Sequence, residues 1–157
     1  MGLFGSGKER DGRRTNVDIT GILELHQKFL NGDEDGVVAN FMNTNLAAQD
    51  FSGVNLRYAD FRGANLNQAN FTNADLTGAN LQGANIRNAN FTKALLRYAD
   101  FTHAVCVGVN FTGADMRNSE LVKCDMRKSD FTQTDLREVT IRQVNWANVN
   151  LTNSLFW

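Results

Sequence analysis

Proline is absent from the 157 residues, cysteine occurs twice, and opposite charges nearly cancel to a formal net charge of −1. Each absence removes a class of answer. A chain without proline holds no proline-rich linker or stalk. Two cysteines, Cys106 and Cys124, with no signal-peptide pattern ahead of them, suggest a reducing compartment rather than a disulfide framework. A balanced charge sets up no overall field to gather nucleic acid or an acidic membrane. No apolar run approaches the roughly 20 residues of a membrane span. The expectation is a cytoplasmic domain without a transmembrane segment, long enough to bury a core.

What is present is a period of five. In "ANLNQANFTNADLTGANLQGAN", residues 64–85, a large apolar residue returns at every fifth position, and the series runs unbroken from Phe41 to Phe156. Its 24 centres are nine Phe, nine Leu, two Ile, two Met, one Cys and one Trp. Two residues before each centre stands a small residue, Ala in twelve pentads, with Gln49 the only misfit. One residue before the centre is Asn in eleven pentads and Asp in eight. A helix needs apolar residues at alternating threes and fours, and a long strand needs strict alternation. Small-in, polar-out, large-in, then two polar residues describes a very short extended piece followed by a turn. Such a unit buries nothing alone and must stack on copies of itself.

"ADLTG", "ANLQG" and "ANLNQ" resemble the A-(D/N)-L-x-x motif of pentapeptide-repeat proteins, over residues 37–157. The resemblance implies an all-β solenoid: a right-handed quadrilateral β-helix with four pentads per coil, hence 24/4 = six coils here. At the usual inter-strand spacing such a rod is about 29 Å long. Residues twenty apart then stack, which places Phe51, Phe71, Phe91, Phe111 and Phe131 in one inner column. Ser52, Thr72, Thr92, Thr112, Thr132 and Thr152 form a hydroxyl ladder beside it. Cys106 and Cys124 fall on inward positions and read as buried small hydrophobes, with no His or third Cys at ligand spacing.

Residues 1–17 are rich in Gly and charge and read as a flexible tail. Gly2 to Lys8 spells G-x-x-x-x-G-K, but Glu9 replaces the Ser/Thr of a phosphate loop. "MGLFGS" fits a myristoylation pattern, yet the repeat family looks mainly bacterial, which favours the plain tail. Residues 18–36 read as a capping helix and linker. Asp18 is the N-cap, Ile22, Leu23, His26, Phe29 and Leu30 form the apolar stripe, and Gly32 ends the helix. His26 should pack in that cap rather than bind a metal. At the other end, Leu155 and Trp157 occupy positions that are usually polar. Leu155, Phe156 and Trp157 therefore either fold back or pack against a second copy. The end-to-end homodimer is favoured, and it also occurs in proteins the chain resembles.

No catalytic, cofactor or metal site is identifiable: the only histidines are His26 and His103, and the eight repeat aspartates are equivalent turn elements. Two function classes remain. One is a non-catalytic scaffold or adaptor that binds a protein of unknown identity, with Val105, Val107 and Val122 as docking candidates because they replace polar outward residues. The alternative follows from the resemblance: a DNA mimic that binds, protects or inhibits a type II topoisomerase such as gyrase. Mimicry needs uncompensated carboxylate, and residues 37–157 carry eleven Lys/Arg against ten Asp/Glu. Arg57, Arg97, Arg117 and Arg137 stack on one side as a charged ladder, Asp115 and Asp135 lie beside the later ones, and Tyr58 and Tyr98 border the column. Direct nucleic-acid binding is not expected. The scaffold reading ranks first.

Overall fold

The computed structural model describes residues 12–157. Four ladders of parallel bridges run the length of a four-sided rod. One joins Asn40, Asp60, Asp100 and Glu120 through Asn80 and ends at Thr140; the next runs from Asn45 to Asn145. The third runs from Asp50 to Asn150 and the fourth from Asn55 to Leu155, always in steps of twenty residues. Six levels on each side make six coils, as four pentads per coil requires. Phe71 and Phe91 stack with ring centroids 4.8 Å apart, and Phe111 and Phe131 do the same at 4.8 Å. The centres and the alanines before them are buried from Ala39 to Leu136, so the tower has no lumen.

The turn chemistry explains the polar half of the repeat. The carbonyl of each centre accepts from the N–H three residues on, as Phe61 does from Ala64 at 3.0 Å. The third residue of every such turn takes positive φ, from +51° at Asn43 to +71° at Gly108. Gly and Asn are frequent there because they enter the left-handed region at least steric cost. The Asn or Asp before the centre accepts, through Oδ1, the N–H two residues on; Asp75 takes Thr77 N–H at 2.9 Å. At two turns the closing bond is missing and the chain continues extended, as β1 (Glu120–Val122) and β2 (Thr140–Arg142), paired in parallel register. Both follow a residue that is neither Asn nor Asp, so the short side-chain acceptor is lost. Leu95 and Val105 also lack it, but their turns still close: Ala99 N–H reaches Leu96 at 3.1 Å and Val109 N–H reaches Cys106 at 3.4 Å.

Helix α1 (Ile19–Asn31) begins and ends where its caps say. Asp18 Oδ1 accepts Gly21 N–H at 2.9 Å. Gly32 at φ +84° ends the helix, with its N–H and that of Asp33 returning to Phe29 and Lys28. Ile19, Ile22 and Leu23 pack on the first coil, which leaves Phe41, Leu46, Phe51 and Leu56 fully buried. The linker then crosses α1 so closely that a Cβ on Gly36 would lie 2.2 Å from Phe29 N. His26 completes the cap. Its Nδ1 accepts Ala39 N–H at 3.1 Å, the donor that a preceding turn would otherwise use.

The tail differs from the expectation over residues 1–17. Residues 1–11, with the phosphate-loop and myristoylation patterns, lie outside the described residues. From Gly12 on, the segment is tied down rather than loose. Arg14 bridges Thr44: its N–H donates to Asn43 C=O and its C=O accepts Asn45 N–H, covering the upper edge of that side. Its guanidinium Nη2 also donates to Met42 C=O at 3.0 Å and to Thr44 Oγ1 at 3.1 Å. A flexible-tail reading follows from Gly and charge content. It misses Arg14, whose partners are thirty residues away.

Candidate interaction surfaces

The pentad places the residues before and after each centre on one outward face, about two strand rises apart. Asp before and Arg after therefore pair within a pentad. Arg62, Arg117, Arg127 and Arg137 each hold the preceding Asp with two bonds, such as Arg117 Nε–Asp115 Oδ1 at 2.8 Å and Nη2–Oδ2 at 2.6 Å. Arg117 reaches on to Asp135 at 3.6 Å. The guanidinium bonds hold Asp60, Asp115, Asp125 and Asp135 below the usual carboxylate range. The ladder foreseen on the Arg57–Arg137 face thus exists in its lower half. In the upper half Asn55 and Leu95 replace aspartate, and Arg57 and Arg97 turn to their neighbouring tyrosines. Their guanidinium carbons lie 5.5 Å from the Tyr58 centroid and 5.6 Å from the Tyr98 centroid.

Val105, Val107 and Val122 are all half-buried. Their carbonyls pair with the coil above, and Val122 belongs to β1. The side faces expose other apolar residues more fully: Tyr58 at 50%, Leu95 at 44% and Tyr98 at 57%. These three share the face of Arg57 and Arg97. The signal was legible, because Leu95, Arg97 and Tyr98 belong to a single pentad and so to a single face.

The lower end is open where the upper is closed. In the last coil the centres Ile141 and Leu151 are 39% and 41% exposed, and Trp146 and Phe156 only half-buried. Leu155 is 52% exposed and Trp157 98%. Phe156 stays packed on the core and against Trp157 at 5.9 Å between centroids. Leu136, Val139, Ile141, Phe156 and Trp157 line a depression of about 300 Å³ together with Glu138. Backbone N–H groups of Trp146, Leu151 and Phe156, whose counterparts in higher coils donate downward, have no backbone partner among the described residues.

Reactive groups do not converge. His26 is buried, its pKa lowered by desolvation, and it stacks on Phe29. His103 sits exposed at a turn. Cys106 and Cys124 are both buried; burial pushes the Cys106 thiol far up and that of Cys124 up to about 12. Cys124 donates to Phe101 C=O at 2.9 Å, so both remain inert thiols at neutral pH. Among the described residues no cluster of His, Cys, Asp or Glu could hold a metal ion, and no helix is long and apolar enough to cross a membrane.

The geometry has counterparts among known proteins. One solved structure that the chain resembles is a pentapeptide repeat protein from the thylakoid lumen of Arabidopsis thaliana. It is 35% identical over 62% of this chain and 68% of its own, with a TM-score of 0.61. The pentapeptide repeat protein Rfr23 from the cyanobacterium Cyanothece 51142 is 18% identical over 88% of this chain and 99% of its own, at a TM-score of 0.42. QnrB1, a plasmid-mediated fluoroquinolone resistance protein, is 21% identical over 75% of this chain and 59% of its own, at 0.46. No curated protein matches. The family model "Pentapeptide repeats" matches in eight copies over residues 39–78, 55–92 and 94–133. With that match and the four twenty-residue ladders, the chain belongs to the pentapeptide repeat family, whose fold is a right-handed quadrilateral β-helix and whose members are typically non-catalytic.

Proposed function

We propose that this rod is a non-catalytic cytoplasmic scaffold that binds other proteins through its rigid sides and joins a second copy of itself through its last coil. The observation that carries the reading is the asymmetry of the ends. Helix α1 and Arg14 cover the first coil, while Ile141, Leu151, Leu155 and Trp157 stand in solvent on the last. A face of half-exposed core residues beside unpaired strand groups is self-complementary about a two-fold axis. Preordered side-chain columns lose little entropy on docking, which suits recognition by the sides. In light scattering the protein is expected to be a dimer, and Phe156→Ser with Trp157→Ser a monomer. A monomeric wild type at tens of micromolar would remove the self-association half of the reading.

Topoisomerase mimicry has weaker support, because arginine neutralises Asp60, Asp115, Asp125 and Asp135. Gyrase supercoiling is expected to proceed unchanged with the protein present; inhibition or drug protection would reverse the ranking. For the valines, Val107→Asp should weaken capture of a partner from the native host.

A further inference from the structure

We propose that the upper half of the Arg57–Arg97 face docks an acidic, proline-rich segment of another protein, laid along the rod axis in the polyproline II conformation. The inference rests on the scaffold reading and names its class of partner. Among the described residues Arg57 and Arg97 form no ion pair with a carboxylate, whereas Arg117 and Arg137 on the lower half of the face are held by Asp115 and Asp135. Two arginines stand against one aspartate, Asp75, in the upper half and against two, Asp115 and Asp135, in the lower, so one positive charge is left over in the upper half. Arg97 also lacks any bonding partner for its Nε. Each of these arginines lies over an exposed tyrosine, Arg57 also donating to Tyr58 Oη at 3.3 Å, and Leu95 adds an exposed aliphatic surface. The Tyr58 ring is pressed onto the face: a Cβ on Gly78 would stand 2.7 Å from its Cδ1. Tyr58 and Tyr98 thereby offer two exposed aromatic rings, of the kind that proline rings pack on.

Spacing selects the conformation. The two Arg–Tyr pairs are two coils apart, roughly 9.6 Å at the strand spacing of a sheet. A polyproline II helix repeats every third residue at about 9.3 Å, with residues one and four on the same side. An extended strand would present those residues on opposite sides. Asp75 lies on the intervening coil, its Oδ1 accepting Thr77 N–H and its charge attracting Arg57 without a direct ion pair. It repels a central acid. The guest is therefore acid–Pro–Pro–acid, with carboxylates three residues apart and an uncharged middle.

The probe is a fluorescein-labelled peptide containing Glu-Pro-Pro-Glu, titrated by anisotropy at low and physiological salt. Saturable binding is expected. Arg57→Gln with Arg97→Gln should weaken it about tenfold or more, while Arg117→Gln with Arg137→Gln changes it less than about twofold. Tyr98→Ala should also weaken it, with the β-sheet circular dichroism of every variant preserved. Failure to bind, equal binding of the Gln-Pro-Pro-Gln peptide, or equal loss in both arginine pairs would overturn the proposal. So would an unlabelled DNA duplex that displaces the peptide at equal charge concentration. If the peptide fails while the wild type still dimerises through Trp157, only this docking site is lost and the scaffold reading stands.

Discussion

His26 shows how one side chain closes an end. Its Nδ1 accepts Ala39 N–H, so the neutral ring is the form the fold requires, and burial depresses the pKa below 6.5. The unfolded chain then binds the proton more readily, so this contribution is complete above about pH 6.5 and shrinks as pH falls towards the depressed folded value. Urea midpoints should drop between pH 7.5 and 5 in the wild type and much less in His26→Gln, whose side-chain oxygen can still accept. That window lies above the titration of the aspartates, at about 3.9 when unfolded. A core residue acts differently. Phe91 is fully buried between Phe71 and Phe111, so Phe91→Ala should cost about 3–5 kcal/mol in chemical denaturation. A loss below about 1 kcal/mol would mean the column can collapse around the gap.

Among the elements, α1 was readable in advance because its caps are local signals: Asp18 and Gly32 directly flank Ile19–Asn31, and the apolar stripe from Ile22 to Leu30 lies between them. Asp18→Ala should cost about 1 kcal/mol and loosen the cap, seen as faster amide exchange in α1. Arg14 was not readable. It contributes one rung, and nothing in "GRRTN" signals a partner at Thr44. Arg14→Ala, which removes the guanidinium bonds that brace the rung, is expected to speed exchange of the Asn45 amide, whose N–H donates to Arg14 C=O, without altering coils three to five; unchanged exchange there would make the guanidinium dispensable. The two open turns at β1 and β2 were equally hidden. The missing Asn or Asp at Glu120 and Thr140 is visible in sequence, but Leu95 and Val105 share the deficit and keep closed turns. Their neighbours above and below, including Asp75, Asp115, Asn85 and Asp125, retain the side-chain acceptor and hold the backbone in register.

As a whole the molecule is a stack in which each coil depends on its neighbours, so stability should grade along the axis. Amides of the last coil, residues 138–157, are expected to exchange faster than those of coils two to four in dilute protein. Protection at Trp146, Leu151 and Phe156 should rise with concentration as a second copy covers their unpaired N–H groups. Concentration-independent exchange would contradict the dimer. The surface logic is also global, since the docking face joins pentads twenty and forty residues apart.

The period of five by itself called for a stacked solenoid, because a short unit with two inward residues must stack on copies to bury them. Four pentads per coil, and with it the twenty-residue columns, came from the family resemblance that the repeat motif carries. The inward positions of Cys106 and Cys124 in the repeat likewise foretold their burial. Tertiary structure decided which outward residues matter. Exposure depends on what lies one coil above and below: the valines at 105, 107 and 122 are half-covered, while Tyr58, Leu95 and Tyr98 are not. Charge depends on whether a carboxylate is in reach, which spares Arg57 and Arg97 and cancels Arg117 and Arg137. Those are distances across coils, and a linear repeat specifies the coils before it specifies what their side chains meet.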